Sequence, residues 1–225
     1  SEKYNTLKNE GNLNNEIGLP STVFRLDSDY EAAILEMGMS AFGEISRLSH
    51  VAQPNIGIIT KIGVSHIEHL GSREGILKAK LEILEGFNEK GSLIINNDND
   101  LLNLWNQDNQ DGHKHITYGI ENISNFIAKN IQVNENGSNF EIEIQGKEYT
   151  VEVPVAGKHF VYNSLAAIAV GLENNIDIEN IIKGISDFSL TKRRMEILKN
   201  ENNITIINDC YNASYESVKA ALEYI

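Results

Sequence analysis

The sequence has little cysteine and little proline, and each scarcity closes off a class of protein. Cys210 is the single cysteine, so no internal disulfide can form, and the composition fits a reducing compartment such as the cytoplasm. Three prolines leave no stretch for a Pro-rich linker. The longest apolar runs, such as Ala32–Leu35 and Leu165–Val170, fall far short of the ~20 residues of a membrane span, so no membrane insertion is expected. The first residues, SEKYNTLKNE, do not resemble a signal peptide. Basic residues are scarce as well: 19 Lys plus Arg against 32 Asp plus Glu give a formal charge of −13. Such an excess argues against nonspecific binding to nucleic acid or anionic membrane. It still permits a small anionic ligand held locally by backbone amides, a few cations and a metal. The phosphate-loop pattern G-x-x-x-x-G-K-[ST] occurs nowhere; Gly146-Lys147-Glu and Gly157-Lys158-His have the wrong context.

With 41% hydrophobic and 23% charged residues the chain is of globular composition, and 225 residues amount to about one and a half domains. Apolar strands alternate with amphipathic helices. Glu31–Glu36 (EAAILE) reads as a buried strand, Gly43–Ala52 as a helix, Ile56–Lys61 as a strand and Ser72–Phe87 as one long helix. Ser92–Asn97, a helix near Asp100–Gln107, and His115–Ile120 follow, an order that predicts an α/β fold with a mostly parallel sheet and flanking helices. From Phe126 to Pro154 the apolar period falls to two, which predicts a small antiparallel β subdomain inserted into or beside the sheet. Helices over His159–Glu173 and Ile178–Phe188 come next, then strands around Met195–Leu198 and Ile204–Ile207. A last helix, Glu216–Ile225, has no cap, and the expected division is a domain over 1–190 and the start of a second over 191–225.

The helix beginning at Ser72 carries the most chemistry. Its apolar stripe is Ile76, Leu77, Ile83, Leu84 and Phe87, and Lys80 projects from the middle of that stripe while Lys78 faces the polar side. Two readings of Lys80 stand at this point. Its stem can cover the core edge with the ammonium in water, or burial can favour the neutral amine, the form that adds carbon dioxide to become a carbamate and a metal-facing carboxylate. Glu36 closes one predicted strand and His66 follows another, in Gly63-Val-Ser-His66-Ile-Glu-His-Leu-Gly71, at the sheet edge where open α/β folds bind ligands. Taken singly each is an ordinary strand-end or loop residue; together with Lys80 they form a carboxylate and imidazole set suited to a divalent ion that also touches phosphate.

These residues also carry a family resemblance. Glu36-Met-Gly, Gly43-Glu-Ile, and the run Gly63-x-x-His66-x-x-x-x-Gly71-Ser72-x-Glu74-x-Ile76-x-x-Ala79-Lys80-x-Glu82 resemble the core of the Mur ligase family. Ala156-Gly-Lys-His159-x-x-x-Asn163-x-x-Ala166-Ala167 is similar to the family's adenine-side helix. Arg194-Met-Glu196 and Asn208-Asp209-x-Tyr211-Asn212-Ala213 are similar to the start of its C-terminal domain, although Tyr215 stands where the family usually has proline. Asn12-Leu-Asn-Asn-Glu-Ile-Gly-Leu-Pro20 resembles the substrate loop of the member that adds a D-alanyl dipeptide.

The resemblance implies a P-loop NTPase-like central domain and an ATP-dependent, amide-forming ligase of cytoplasmic peptidoglycan precursor synthesis. Its implied cofactors are ATP and Mg2+, and its implied partners are a UDP-N-acetylmuramoyl tripeptide and D-alanyl-D-alanine, handled by a monomer. By resemblance Glu36 and His66 hold magnesium, and Lys80 is the carbamylated lysine that helps place it. Asn163 contacts adenine, Arg194 the phosphates and Asp209 the ribose region, while Asn14 and Asn15 face the UDP-linked peptide. In the family the phosphate loop lies just upstream of the residue-5 region, so the chain reads as a central-domain fragment, inactive alone. A ligase for a different amino acid, a folylpolyglutamate synthase, or a non-catalytic nucleotide- or partner-binding module are the alternatives.

Overall fold

The computed structural model describes residues 2–224 other than 89, 109–110, 136, 191–193, 195, 200–203 and 214. Its centre is a six-stranded sheet in spatial order β3 (Ile56–Ile59), β4 (Ser92–Asn96), β5 (Lys114–Gly119), β6 (Phe126–Asn134), β7 (Gly137–Ile144) and β8 (Lys147–Val153). Neighbours from β3 to β6 run parallel, whereas the β6, β7 and β8 pairings are antiparallel. The period-two segment therefore extends the main sheet through Tyr118↔Phe126 and Gly119↔Ile127. A bulge between Lys129 and Gln132 bends β6, with Asn130 in the left-handed region at φ 51°.

Strand β4 shows why the parallel part reads as an unbroken apolar run. Leu93, Ile94 and Ile95 are all fully buried, but alternate side chains enter different cores because each face of the sheet is covered. Ile94 joins Ile116, Tyr118, Leu165 and Ile168 beneath α6 (Lys158–Glu173) and α7 (Ile178–Ser186). Leu93 and Ile95 join Ile76, Ala79 and Leu102 beneath α4 (Arg73–Leu81) and α5 (Asp100–Asp108) on the other face. A smaller cluster of Leu19, Ile45 and Leu48 fixes α1 (Gly18–Val23) to α2 (Glu44–Ala52).

Two expectations are corrected. The EAAILE segment is neither buried nor part of the six-stranded ladder: β2 (Ala32–Ile34) pairs in parallel with β1 (Thr6–Lys8), and Ile34 is 62% exposed. The long helix from Ser72 is also not continuous. Ser72 caps α4 by accepting from the Gly75 amide at 3.2 Å, but from Glu82 to Gly86 the chain tightens into a 3-10 turn. The reason lies in α2. Both Glu82 carboxylate oxygens accept the Gly43 amide, at 2.8 and 2.9 Å, capping the N-terminus of α2, and Gly86 lets the turn close on Ser49. The short α3 (Ile67–Leu70) was not anticipated. Beyond residue 190, β9 (Glu196–Lys199) and β10 (Thr205–Asn208) form an antiparallel pair, followed by α8 (Tyr215–Tyr224). Met195, Thr191 and the chain end Ile225 lie outside the described residues.

Candidate functional site

The C-terminal ends of β3, β4 and β5 open onto one edge of the sheet, and Glu36 follows β2. Glu36 is exposed, yet its backbone and one carboxylate oxygen are held. The Asn9 carboxamide accepts from the Glu36 amide at 2.9 Å and donates to the Glu36 carbonyl at 3.0 Å. Asn14 Nδ2 donates to Glu36 Oε1 at 2.9 Å. Asn15 does something different: its Oδ1 accepts the Ile17 and Gly18 amides at 3.1 and 2.9 Å, closing an Asx turn that starts α1.

Lys80 is half-buried on the inner side of α4, and its ammonium donates to the Lys61 carbonyl at 2.7 Å. Burial pushes its pKa below the ordinary lysine value, and the nearby Lys61 charge acts the same way. Lys61 opens the loop that leads to His66. The next carbonyl, Ile62 O, accepts from Arg73 at 3.0 Å and from Asn99 at 3.3 Å, while Arg73 also forks onto Asp100 at 2.5 and 2.8 Å. Two successive carbonyls of the loop are thus pinned by side chains from α4 and from the turn before α5. His66 itself sits in the left-handed region at φ 64°, ψ 19°, exposed, with no hydrogen bond to its ring among the described residues. A non-glycine residue in that conformation stores strain that loops tend to keep where a side chain must be aimed.

On the other face, α6 presents Asn163 to solvent, its side chain without a hydrogen bond among the described residues. His159 lies one turn earlier on the same side of the helix. Burial pushes its imidazole below the usual histidine value, against the opposing pull of the Asp209 charge. Arg194 is exposed, its guanidinium 4.3 Å from the Tyr211 ring centroid. Deeper in, Asp98 closes the turn after β4. Its carboxylate accepts the amides of Ile120, Glu121 and Asn122 at 2.5, 3.1 and 2.7 Å and the Tyr162 hydroxyl at 2.9 Å. Burial alone raises its pKa, but those four donors outweigh burial and the net shift is downward. The Asp98 carboxylate in turn pushes the Tyr162 phenol, already raised by burial, further up through its hydrogen bond and its charge.

The structure therefore groups the sequence candidates into three sets. Asn14 and Glu36 touch; Lys80 touches the loop that bears His66; Asn163 lies one helical turn from His159, whose imidazole feels the Asp209 charge. It records no direct contact linking Glu36, His66 and Lys80. Among the described residues no group of three His, Cys, Asp or Glu side chains is placed to hold a metal ion. An exposed carboxylate and an exposed imidazole fit the donor chemistry of a divalent ion. Asn9, Asp98 and Tyr162 were missed from sequence. Only Asp98 had a local signal, its place directly after a buried strand at the ligand edge.

The Mur ligase middle domain family matches residues 1–171. The UDP-N-acetylmuramoyl-tripeptide–D-alanyl-D-alanine ligase of Bacillus subtilis (strain 168) is 44% identical over 221 residues, which cover 98% of this chain and 47% of that protein. The crystal structure of MurF from Acinetobacter baumannii superposes with a TM-score of 0.91 at 29% identity, covering 99% of this chain and 48% of that one. The MurF ligase of Thermotoga maritima in complex with ADP has a TM-score of 0.83 at 24% identity, covering 99% and 51%, a likeness of fold. The chain spans about half the length of the curated relatives it matches. No helix among the described residues is long and apolar enough to cross a membrane.

Proposed function

The chain belongs to the Mur ligase family, and from that premise we propose that it forms the nucleotide-handling middle of a ligase that joins D-alanyl-D-alanine to a UDP-N-acetylmuramoyl tripeptide at the expense of ATP. Residues 1–190 are the middle domain and 191–225 the start of a C-terminal, Rossmann-like domain. The enzyme works in the cytoplasm as a monomer. ATP phosphorylates the terminal carboxylate of the tripeptide, giving an acyl phosphate and ADP. The dipeptide amine then adds to the acyl carbon, and the tetrahedral intermediate collapses with loss of phosphate.

The observation that carries this reading is Lys80, a half-buried amine with a depressed pKa, seated on the carbonyl of the loop that leads to His66. A neutral amine can attack carbon dioxide and release a proton, leaving an N-carboxylate where a bare ammonium would repel a cation. Glu36, His66 and the Lys80 carbamate are the residues that would hold Mg2+. Divalent ions bound there offset the repulsion between a carboxylate and a triphosphate. The remaining roles belong to the chain itself. Asn163 has an exposed carboxamide for the adenine edge, Arg194 a guanidinium for phosphate oxygens, and Asp209 a carboxylate for the ribose hydroxyls. Asn15 keeps its Oδ1 on the α1 amides and its NH2 for the UDP-linked peptide, beside Asn14. The test is ADP release by the full-length enzyme across a panel of amine acceptors. Release that requires D-alanyl-D-alanine and the UDP-linked tripeptide supports the assignment; release with a single amino acid or with glutamate on a folate replaces it.

A further inference from the structure

The carboxylate of Glu36 is a strand-end side chain, and strand ends are where backbone ladders stop. The β1–β2 ladder has its last rung at Lys8↔Ile34, so Glu36 lies past the paired backbone. Its amide and carbonyl are nonetheless both satisfied, by one side chain. The Asn9 carboxamide takes the Glu36 amide on Oδ1 and gives Nδ2 to the Glu36 carbonyl, while Nδ2 also reaches the Leu13 carbonyl at 2.9 Å. Asn9 thus continues the ladder as a backbone neighbour would and ties it to the loop that follows. From that loop Asn14 Nδ2 donates to Glu36 Oε1, and the Asn14 carbonyl accepts the Gly38 amide at 2.8 Å. Gly38 permits this approach, since a Cβ there would lie 3.1 Å from the Asn14 carboxamide. The outcome is a carboxylate fixed through its backbone and one oxygen, with no partner on Oε2 among the described residues. That is how a monodentate ligand is presented to a cation.

We propose that Asn9 and Asn14 are positioning residues for Glu36, and that Asn14 couples the substrate loop to the metal-facing carboxylate. The inference rests on Glu36 being a metal ligand. An asparagine NH2 has two hydrogens, so Asn14 can hold Glu36 with one and offer the other to an oxygen of the UDP-linked peptide. Occupancy of the loop then restrains Glu36, and by linkage the peptide substrate and the divalent cation strengthen each other's binding.

The experiment uses the full-length enzyme with ADP, and Mn2+ as the probe, reading free ion by electron paramagnetic resonance. Asn14→Ala and Asn9→Ala should each weaken Mn2+ binding by roughly tenfold. Asn14→Gln, which keeps the amide donor, should recover part of that loss. The UDP-linked tripeptide should tighten Mn2+ binding in the parent enzyme but not in Asn14→Ala. If Glu36→Gln weakens Mn2+ binding while both asparagine variants match the parent, the positioning role is wrong and Glu36 remains a ligand. If Glu36→Gln itself leaves Mn2+ binding unchanged, the metal assignment fails and takes the proposal with it. Should Asn9→Ala lose the fold in circular dichroism, the Asn14→Ala and Asn14→Gln pair decides, because the Asn14 side chain bonds Glu36.

Discussion

An ammonium drawn partly out of water loses hydration that one carbonyl replaces only in part, which is why the Lys80 pKa falls below the ordinary lysine value. The sign of its pH dependence follows. A lysine whose folded pKa lies below its unfolded value costs most stability below the folded value, and the cost fades as pH rises toward the unfolded value near 10.5. The catalytic expectation is separate: Lys80→Ala in the full-length ligase should abolish ligation, and added short carboxylates should restore part of it. Full activity of the alanine variant with bicarbonate removed would end the carbamate assignment. Asp98 is the opposite case, a carboxylate stabilised in its charged form by three amides and a hydroxyl. Asp98→Ala orphans those donors and should cost about 2–4 kcal/mol in urea denaturation, more than a surface carboxylate. Because its folded pKa is depressed below 3.8, the stability it adds is present above the unfolded value and lost as pH falls through the folded one. A parent and a variant that converge in stability under acid, and differ most at neutral pH, bear this out.

Between elements, backbone packs closely against backbone where the 3-10 turn meets α2. A Cβ on Gly86 would sit 2.2 Å from both the Ser49 carbonyl oxygen and its hydroxyl, and backbone cannot step aside as a flexible side chain does. Gly86→Ala is therefore expected to cost about 1–3 kcal/mol, with a lowered thermal midpoint and an unchanged urea slope. A neutral Gly86→Ala would mean that the turn and α2 pack more loosely than their contacts indicate. The same junction shows what a sequence can reveal. Periodicity located β3, β4, β5, α2, α5, α6 and the antiparallel strands, since their apolar faces are set by neighbours a turn or a pleat away. It ran one helix through Glu82 because the force that ends α4 is a capping bond to Gly43, 39 residues distant. It buried EAAILE because parallel pairing of Thr6 with Ala32 leaves no local trace. The candidate site divides in the same way. Lys80 stood out as a cation on an apolar stripe and His66 as a loop residue at the ligand edge, whereas Asn9 reads as one asparagine among many until its carboxamide is seen on the Glu36 backbone.

At the scale of the whole chain, two features act on any bound nucleotide before a single contact is counted. The formal charge of −13 opposes a polyphosphate, and no stretch of the 225 residues has the G-x-x-x-x-G-K-[ST] pattern that cradles phosphates with successive amides and a lysine. Under the proposed assignment, what this chain offers ATP is one side of a site: Asn163 for the base, Asp209 for the sugar, and Arg194, whose guanidinium lies over the Tyr211 ring. Charge-assisted hydrogen bonds to phosphate contribute about 1.5–3 kcal/mol each, so doing without even three of them weakens binding by roughly a thousandfold or more. Isothermal calorimetry on the 225-residue chain should accordingly show no micromolar affinity for ATP with Mg2+ present. The enzyme carrying a phosphate loop as well should bind it far more tightly, and Asn163→Ala in that enzyme should weaken ATP without changing the KM for D-alanyl-D-alanine. Micromolar, Mg2+-dependent binding by the chain alone would place the phosphate contacts among the residues described here, with the pinned loop from Lys61 to His66 as the segment to mutate first.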